Sequence, residues 1–461
     1  PVSRLYISAA RKSSGKTSIT IGLCAALQAR GLMVQPYKKG PDYIDPHWLA
    51  KAAGRRCFNL DFFTMEHDEI VTLFNKHSTG ADIAIIEGNK GLYDGLDIEG
   101  SNSNAALAHL LDTPVVLVLD ARGMTRGIAP LILGYQAFDP NINIKGVILN
   151  KLGGYRHEDK LRKVIEHYTD VTVIGAVHHS PELDIEERHL GLVPSHEDRA
   201  CERKIDSLRA AVLEQVDLDA LLSLADVPDA DFRPPVAQQP INLKPDVDIG
   251  IVENAAFGFY YPDDLDAFAA AGARLVRIDN ISDSSLPQLD GLFIGGGFPE
   301  THMEPLESNQ AFRQQLAEAI DRGLPVYAEC GGLMYLARSI EWKNAKHEMV
   351  GAIPADIIME KKPQGRGYVQ LRETPDQVWP PSDAPIIAAH EFHYSRFINL
   401  PKDARFAFQV LRGTGIDGKH DGLIHKNVLA CYSHQRNTRN YNWVERFVAF
   451  ARQFKQTSRK I

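Results

Sequence analysis

Two stretches hold residues able to do chemistry. In Pro325-Val-Tyr-Ala-Glu-Cys-Gly-Gly-Leu-Met-Tyr-Leu336 a short β-type run, Pro325 to Ala328, stops at Cys330, and two glycines lead into an apolar, helix-like segment. This layout predicts a thiol at a sharp strand-to-helix turn. There a helix N-terminus lowers the thiol pKa, and free backbone N–H groups can hold an oxyanion. A cysteine so placed is a candidate nucleophile for acyl transfer; the plainer alternative is a buried structural cysteine beside a glycine turn. Towards the start of the chain, Ala10-Arg-Lys-Ser-Ser-Gly-Lys-Thr17 follows a strand and opens a helix. That is the context a phosphate loop requires. Ala10 stands where such a loop has its first glycine, while Gly15, Lys16 and Thr17 remain. Backbone N–H groups at the helix start can cradle phosphates, Lys16 can reach the outer phosphates, and the Thr17 hydroxyl can bind Mg²⁺. A thiol suited to amide hydrolysis and an ATP site on one chain point to ammonia made at one site and consumed at the other.

Carboxylates cluster near the second of these stretches. Lys38-Lys-Gly-Pro-Asp-Tyr-Ile-Asp-Pro46 sets Asp42 and Asp45 in a stiff, turn-rich loop beside two lysines. Glu87-Gly-Asn-Lys-Gly-Leu-Tyr-Asp-Gly95 begins at the C-terminal end of a buried strand, the edge where open α/β sheets hold ligands. Carboxylates there can hold Mg²⁺ through one or two ligands plus phosphate, so Asp42, Asp45, Glu87 and Asp94 are read together as a site. The alternative, solvated loop carboxylates, is the reading adopted for Asp97. Asp120, ending a strand at Ala121-Arg-Gly, is a further candidate. Asn150 could read a nucleotide base through its amide, or simply end a strand. The thiol needs a base. His390 and His393 in Ala389-His-Glu-Phe-His-Tyr-Ser395, and His434 in Leu429-Ala-Cys-Tyr-Ser-His434, all stand open on spacing alone.

The elements that must position these residues follow from composition and period. The chain has 461 residues, enough for two or three domains. Apolar content of 44% and charged content of 24% suit a soluble globular protein. A formal charge of -8 argues against a general nucleic-acid binder. No apolar run reaches the roughly 18 residues of a membrane span. The chain runs from Pro1 straight into a strand, so no signal peptide is expected. Cys24, Cys57, Cys201, Cys330 and Cys431 are dispersed, without CxxC spacing, which suits a reducing cytoplasm. Apolar strands over Leu5–Ala9, Asp82–Glu87, Val115–Asp120, Gly146–Asn150 and Val171–Ala176, with a helix over Ser18–Arg30, predict a parallel sheet covered on both faces. The Pro-rich segment Phe232–Pro245 reads as a linker. A second α/β pattern follows: strands Val247–Val252 and Gly291–Ile294, a helix over Gln310–Arg322 before the elbow, turns and short strands including Leu423–Tyr432, and a closing amphipathic helix over Asn442–Lys455.

Taken together, Gly40-Pro-Asp-Tyr-Ile-Asp-Pro46, Ile294-Gly-Gly-Gly-Phe-Pro-Glu300, Tyr327-Ala-Glu-Cys-Gly-Gly-Leu-Met-Tyr335 and His390-Glu-Phe-His-Tyr-Ser395 resemble the cobyrinic/hydrogenobyrinic acid a,c-diamide synthase family, in the family's order and over nearly the whole chain. The resemblance implies an α/β chain of two domains. Residues 1–231 form a P-loop, dethiobiotin-synthetase-like parallel-sheet domain that phosphorylates a substrate carboxylate with ATP and Mg²⁺; 232–245 is the linker. Residues 246–461 form a class I glutamine amidotransferase-like α/β domain with a Cys–His pair. Carried over residue by residue, Cys330 matches the nucleophile and Gly297 the oxyanion position. His434 matches the base, in Cys431-Tyr-Ser-His434, where the family has serine at position 431. Asp42, Asp45, Glu87 and Asp94 match acidic positions important for ATP, metal or the tetrapyrrole carboxylate. On this basis Thr17, Asp42 and Glu87 are the expected metal ligands, and Asp45 a base for ammonia. Glutamine and a tetrapyrrole carboxylate are the expected partners, and a cytoplasmic homodimer the expected form.

One departure bears on the substrate. Asn89 and Lys90 stand where corrinoid enzymes usually carry an apolar pair such as Val-Met. This polar variant resembles the branch associated with dissimilatory sulfite reductase, which amidates sirohaem. Lys90 is accordingly read as meeting a substrate carboxylate, with a plain surface lysine as the alternative, and sirohaem or sirohydrochlorin is favoured over a corrinoid acid. Other readings remain: ATP-dependent amidation of a different carboxylate, a tetrapyrrole-binding protein with idle catalytic parts, and an ATP-switch protein of the partition kind. The last would have no use for a cysteine elbow.

Overall fold

The runs Ile83–Glu87 and Val115–Asp120 are apolar up to their last residue, and every residue of both is buried. Burial on both faces is what a central parallel strand requires. The computed structural model describes residues 2–185, 195–227 and 244–458, and the chain divides into two compact units that part near residue 238. The expected linker, 232–245, lies outside the described residues except for 244–245.

The first unit alternates β1 (Ser3–Ala9), α1 (Lys16–Ala29), β2 (Val34–Lys39), α2 (Ile44–Ala53), β3 (Phe58–Leu60), α3 (His67–Ser78), β4 (Ile83–Glu87), α4 (Asn104–Leu110) and β5 (Val115–Asp120). It continues with α5 (Ile128–Phe138), β6 (Ile144–Leu152), α6 (Tyr155–Tyr168), β7 (Thr172–His178), α7 (Ser195–Gln215) and α8 (Leu218–Ala225). The sheet order is β3-β2-β4-β1-β5-β6-β7, parallel throughout. Strand alternation divides the core. Leu5 and Ile7 pack with α1, α2, α7 and α8 on one face, while Tyr6 packs with α3 to α6 on the other. Sequence reading overlooked β2, Val-Gln-Pro-Tyr-Lys-Lys, because it is not an apolar run. Its buried Gln35, Lys38 and Lys39 are polar.

The second unit opens with β8 (Val247–Val252), β9 (Phe257–Phe259), α9 (Pro262–Ala270), β10 (Ala273–Ile278), β11 (Gly291–Ile294), β12 (Gly296–Gly297), α10 (Met303–Ser308) and α11 (Gln310–Asp321). Then come β13 (Val326–Glu329), α12 (Gly331–Leu336), β14 (Ser339–Trp342), β15 (Ala345–Glu348), β16 (Asp356–Met359), β17 (Gly365–Glu373), β18 (Ile387–His393) and β19 (Ser395–Ile398). The unit closes with β20 (Arg405–Arg412), β21 (His420–His425), β22 (Val428–Cys431), β23 (His434–Gln435) and α13 (Trp443–Ser458). Its main sheet runs β10-β8-β11-β13-β22-β21-β20-β17-β18-β23. The first five strands are parallel and the rest antiparallel. The segment Leu423–Tyr432, where turns and short strands are expected, holds the hairpin β21–β22, with His425 opposite Val428. Its turn uses Lys426 at φ 52° and lacks the glycine that usually marks such turns. All five cysteines are buried, and none is in a disulfide. Among the described residues, no helix is long and apolar enough to cross a membrane.

Candidate functional site

In the first unit, Ala9 ends β1 and the chain turns through residues 10–15 into α1. Gly15 has φ 84°, and a Cβ there would stand 2.1 Å from Asn150 Nδ2, so both backbone angle and space demand glycine. Asn150 Nδ2 donates to the Ser14 carbonyl at 2.9 Å, and Lys151 Nζ to the Ser13 carbonyl at 2.7 Å. These bonds brace the loop from β6. The same Asn150 lines a cavity beside the loop with Gly15, Ser18, Lys151, His178 and His179.

Glu87, fully buried at the end of β4, is the hub of the charged cluster. Its Oε1 accepts from the Thr17 hydroxyl at 2.6 Å and lies 3.1 Å from Lys38 Nζ and 3.3 Å from Lys16 Nζ. Lys38 Nζ also donates to Asp45 Oδ2 at 2.9 Å. Asp42 Oδ1 caps the first turn of α2, accepting from the N–H groups of Ile44 and Asp45 at 2.8 and 3.1 Å. Burial alone would drive Lys38 towards neutrality, but Asp45, Glu87 and Asp42 hold its pKa well above the ordinary range. Burial, then Lys38, pull Lys16 down. Burial also opposes ionisation of Asp45, yet Lys38 keeps its pKa low, while burial and Asp45 push Asp42 up.

Glu87 Oε2 is buried without a hydrogen-bond partner. An orphaned carboxylate oxygen beside the Thr17 hydroxyl fits a divalent cation. Among the described residues, no group of three or more His, Cys, Asp or Glu could hold a metal by itself. A cation here would therefore lean on phosphate oxygens, the usual manner of Mg²⁺.

Beside this cluster lies a polar rim. Lys39 Nζ donates to Asn89 Oδ1 at 3.2 Å. Asn104 receives the Asn89 N–H at 3.1 Å and donates to Gly91 O, fixing the loop. Burial, with Lys90 and Lys38 nearby and against Asp61, brings Lys39 down to about 8. Lys39 was not singled out from sequence, although the Lys-Lys-Gly-Pro run was its signal. Lys90 is exposed, at φ 49°. Asp94 is exposed, its carboxylate lying over Gly91. Asp97 is exposed and accepts from Ser101 N–H at 2.9 Å. Asp120 pairs with Arg122 at 2.7 Å and Arg11 at 3.6 Å.

In the second unit, Cys330 joins β13 to α12 at φ 48°, ψ -99°. This is a strained angle for a non-glycine residue, of the kind that functional turns store. The following glycines allow close passage: a Cβ on Gly332 would fall 2.1 Å from Ile294 O, and one on Gly331 3.0 Å from Gly297 N. The Gly297 N–H therefore adjoins the elbow. Cys330 N donates to Cys431 O at 2.7 Å, and the thiol faces Phe392 O at 3.8 Å. Three residues beyond Cys431, His434 pairs across the sheet with His390, and their rings stack at 4.9 Å. Burial, then His434 and Arg436, hold His390 well below the usual histidine range. His393 is committed elsewhere. Its Nδ1 meets Ser395 O at 3.0 Å, its Nε2 meets Glu391 Oε2 at 3.1 Å, and its ring stacks on Tyr432.

The expectation of a lowered thiol pKa is corrected. Burial pushes the Cys330 thiol up, and Glu300, Glu329 and Glu391 add to this. Helix α12 has only six residues, and its end charge cannot outweigh burial among carboxylates. The thiol stays protonated until a base accepts its proton.

Comparison with known proteins bears on both units. Residues 248–440 match a family described as "CobB/CobQ-like glutamine amidotransferase domain", and residues 3–187 match "AAA domain". A cobyrinate a,c-diamide synthase of Magnetococcus marinus is 46% identical, over 94% of this chain and 94% of its own. One from Methanosarcina acetivorans is 40% identical, over 94% and 92% respectively. A solved glutamine amidotransferase of Thermotoga maritima overlays 47% of this chain and 86% of its own at 14% identity. Its TM-score is 0.30, too loose a likeness to bear on function.

Proposed function

Because this chain belongs to the cobyrinate a,c-diamide synthase family, we propose that it is a glutamine-hydrolysing, ATP-dependent ligase that amidates acetate side chains of a cobyrinate-type tetrapyrrole. The observation that carries this is the presence on one chain of the Glu87-centred phosphate site and the Cys330 elbow with His434 near it. His434 takes the thiol proton as Cys330 attacks the glutamine amide. The Gly297 N–H and the backbone N–H after Cys330 hold the oxyanion. His434 then returns the proton to the departing ammonia, and water releases glutamate from the thioester.

In the first unit, the loop from Ala10 to Gly15 and the start of α1 hold the phosphates, and Lys16 spans the outer ones. Lys38, kept cationic by Asp45 and Glu87, faces the oxygens of the group being transferred. Thr17 and Glu87, with Asp42 adjoining, would hold Mg²⁺, which neutralises charge developing on the phosphates. A substrate carboxylate is activated there as an acyl phosphate, and Asp45 accepts a proton from the attacking ammonia. A cytoplasmic homodimer is part of this proposal, supported by the family resemblance and by five cysteines outside any disulfide.

Lys39, Asn89 and Lys90 favour a second reading of the substrate. This polar edge is the variant that resembles the sirohaem-amidating branch, so sirohaem or sirohydrochlorin is the alternative substrate. Mass spectrometry after incubation with MgATP, glutamine and, in parallel, cobyrinic acid, sirohaem and sirohydrochlorin tests both. Exchange of OH for NH₂ on one substrate names it and counts the amides. Cys330→Ala is expected to lose glutamine-dependent turnover and keep turnover with free ammonia. Glutamine use by that variant would end the assignment.

A further inference from the structure

Glu329, the last residue of β13, stands immediately before the thiol and is 2% exposed. Its Oε2 accepts from the Tyr327 hydroxyl at 2.5 Å and from the Gln435 N–H at 2.7 Å. Burial, then Glu329 itself, keep the Tyr327 phenol protonated and therefore a donor. Two donors on one oxygen fix the carboxylate's direction. Its other oxygen, Oε1, lies 3.6 Å from Nδ1 of His434, which is 3% exposed. The register of the sheet sets the two near each other: Glu329 pairs with Cys431 across β13 and β22, and His434 follows three residues later in β23.

The other charged groups around the pair are engaged elsewhere or lie apart. Glu391 accepts from Thr414 N–H at 2.7 Å and Gly415 N–H at 3.0 Å, besides its contact with His393. Arg436, two residues past His434, pairs with Asp263 at 2.8 Å and Asp264 at 3.8 Å. His390 covers the opposite face of the His434 ring, and burial keeps it neutral. Glu300 acts on the thiol.

Resting on the reading of Cys330 and His434 as a glutaminase pair, we propose that Glu329 is the positioning acid of His434. It orients Nδ1–H, leaves the Nε2 lone pair as the basic position, and stabilises the imidazolium that forms when the thiol proton moves. Ion-pair contact at 3.6 Å needs only a small ring rotation to become a hydrogen bond, and such contacts tighten when substrate binds. An acid one residue before its nucleophile is a compact solution.

The test compares the full-length wild type with Glu329→Gln and Glu329→Asp. Three readouts are taken: glutamine hydrolysis, amidation driven by free ammonia, and the pH profile of Cys330 alkylation by iodoacetamide. Glu329→Gln is expected to lower glutaminase kcat by up to about 10⁴-fold, the loss seen when an orienting carboxylate is neutralised, with little change in KM. Loss of the carboxylate removes the direct repulsion of the thiolate, which lowers the midpoint of alkylation, and the partner of the imidazolium, which raises it; because Glu329 Oε1 stands 3.6 Å from Nδ1 of His434, the second effect is the larger and the midpoint should move to higher pH. Ammonia-driven amidation, which belongs to the first unit, should persist, and a thermal melt on the same preparation reports whether the second unit keeps its fold. Should Glu329→Gln not fold, Glu329→Asp decides: its carboxylate falls about one methylene short, and an approximately tenfold loss of kcat is expected. Wild-type kcat with an unmoved alkylation midpoint, or a loss confined to KM, would overturn the proposal. Absence of Cys330-dependent glutaminase in the wild type would instead defeat the functional reading on which it rests.

Discussion

Gly297→Ala exposes the thiol site to the smallest perturbation that should disable it. A Cβ at this position would lie 1.9 Å from Ala256 O, 2.8 Å from Ala256 C and 2.9 Å from Phe257 Cα, all backbone atoms. Real Cβ contacts essentially never fall below 3.0 Å, so the loop must move by at least about 1 Å. The Phe298 N–H bond to Ala256 O, 2.9 Å long, is anchored at the same carbonyl and moves with it. A shift of that size carries a donor from hydrogen-bond distance to beyond about 3.5 Å, where it no longer acts. Loss of one oxyanion donor typically costs about 10²- to 10³-fold in kcat, or about 2.7–4 kcal/mol of transition-state stabilisation. The assay is glutamate release, with ammonia-driven amidation and a thermal melt on the same preparation. The expected result is the full loss in the first with the second unchanged. Glutaminase within about fivefold of wild type would show that the Gly297 N–H is not an oxyanion donor.

Three further outcomes follow from the first unit. Glu87→Gln should raise the Mg²⁺ needed for half-maximal ammonia-driven amidation and lower its kcat, with glutaminase unaffected; unchanged Mg²⁺ dependence would remove Glu87 from the metal site. Lys38→Met should destabilise this unit by about 3–5 kcal/mol, the cost of leaving buried carboxylates without their cation, read as a lowered melting transition; an unshifted melt would contradict the pairing with Asp45 and Glu87. Lys39 is cationic below and neutral above about 8, so KM for the tetrapyrrole should rise as pH rises through that value. Lys39→Met should show a high, flat KM; a flat wild-type profile would exclude Lys39 from substrate binding.

Much of this protein is legible in the linear chain because its motifs are contiguous. The strand, loop and helix around Gly15-Lys16-Thr17, and the strand, thiol and glycines around Cys330, each place their groups through neighbouring backbone alone. The buried strands of the first sheet announce themselves by apolar runs, since both faces are covered. What the sequence could not disclose depends on partners distant along the chain. Lys38 is a site residue because Glu87, 49 positions on, lies beside it. His393 leaves the list of bases because both its nitrogens meet oxygens of the folded site. The thiol pKa moves up rather than down because burial and three carboxylates outweigh a short helix. Propensity and motif are local properties of a chain, and sequence alone determined them here. Charge state, tautomer and pairing are set by burial and by which strand ends the sheet brings together, and only the tertiary structure decided those.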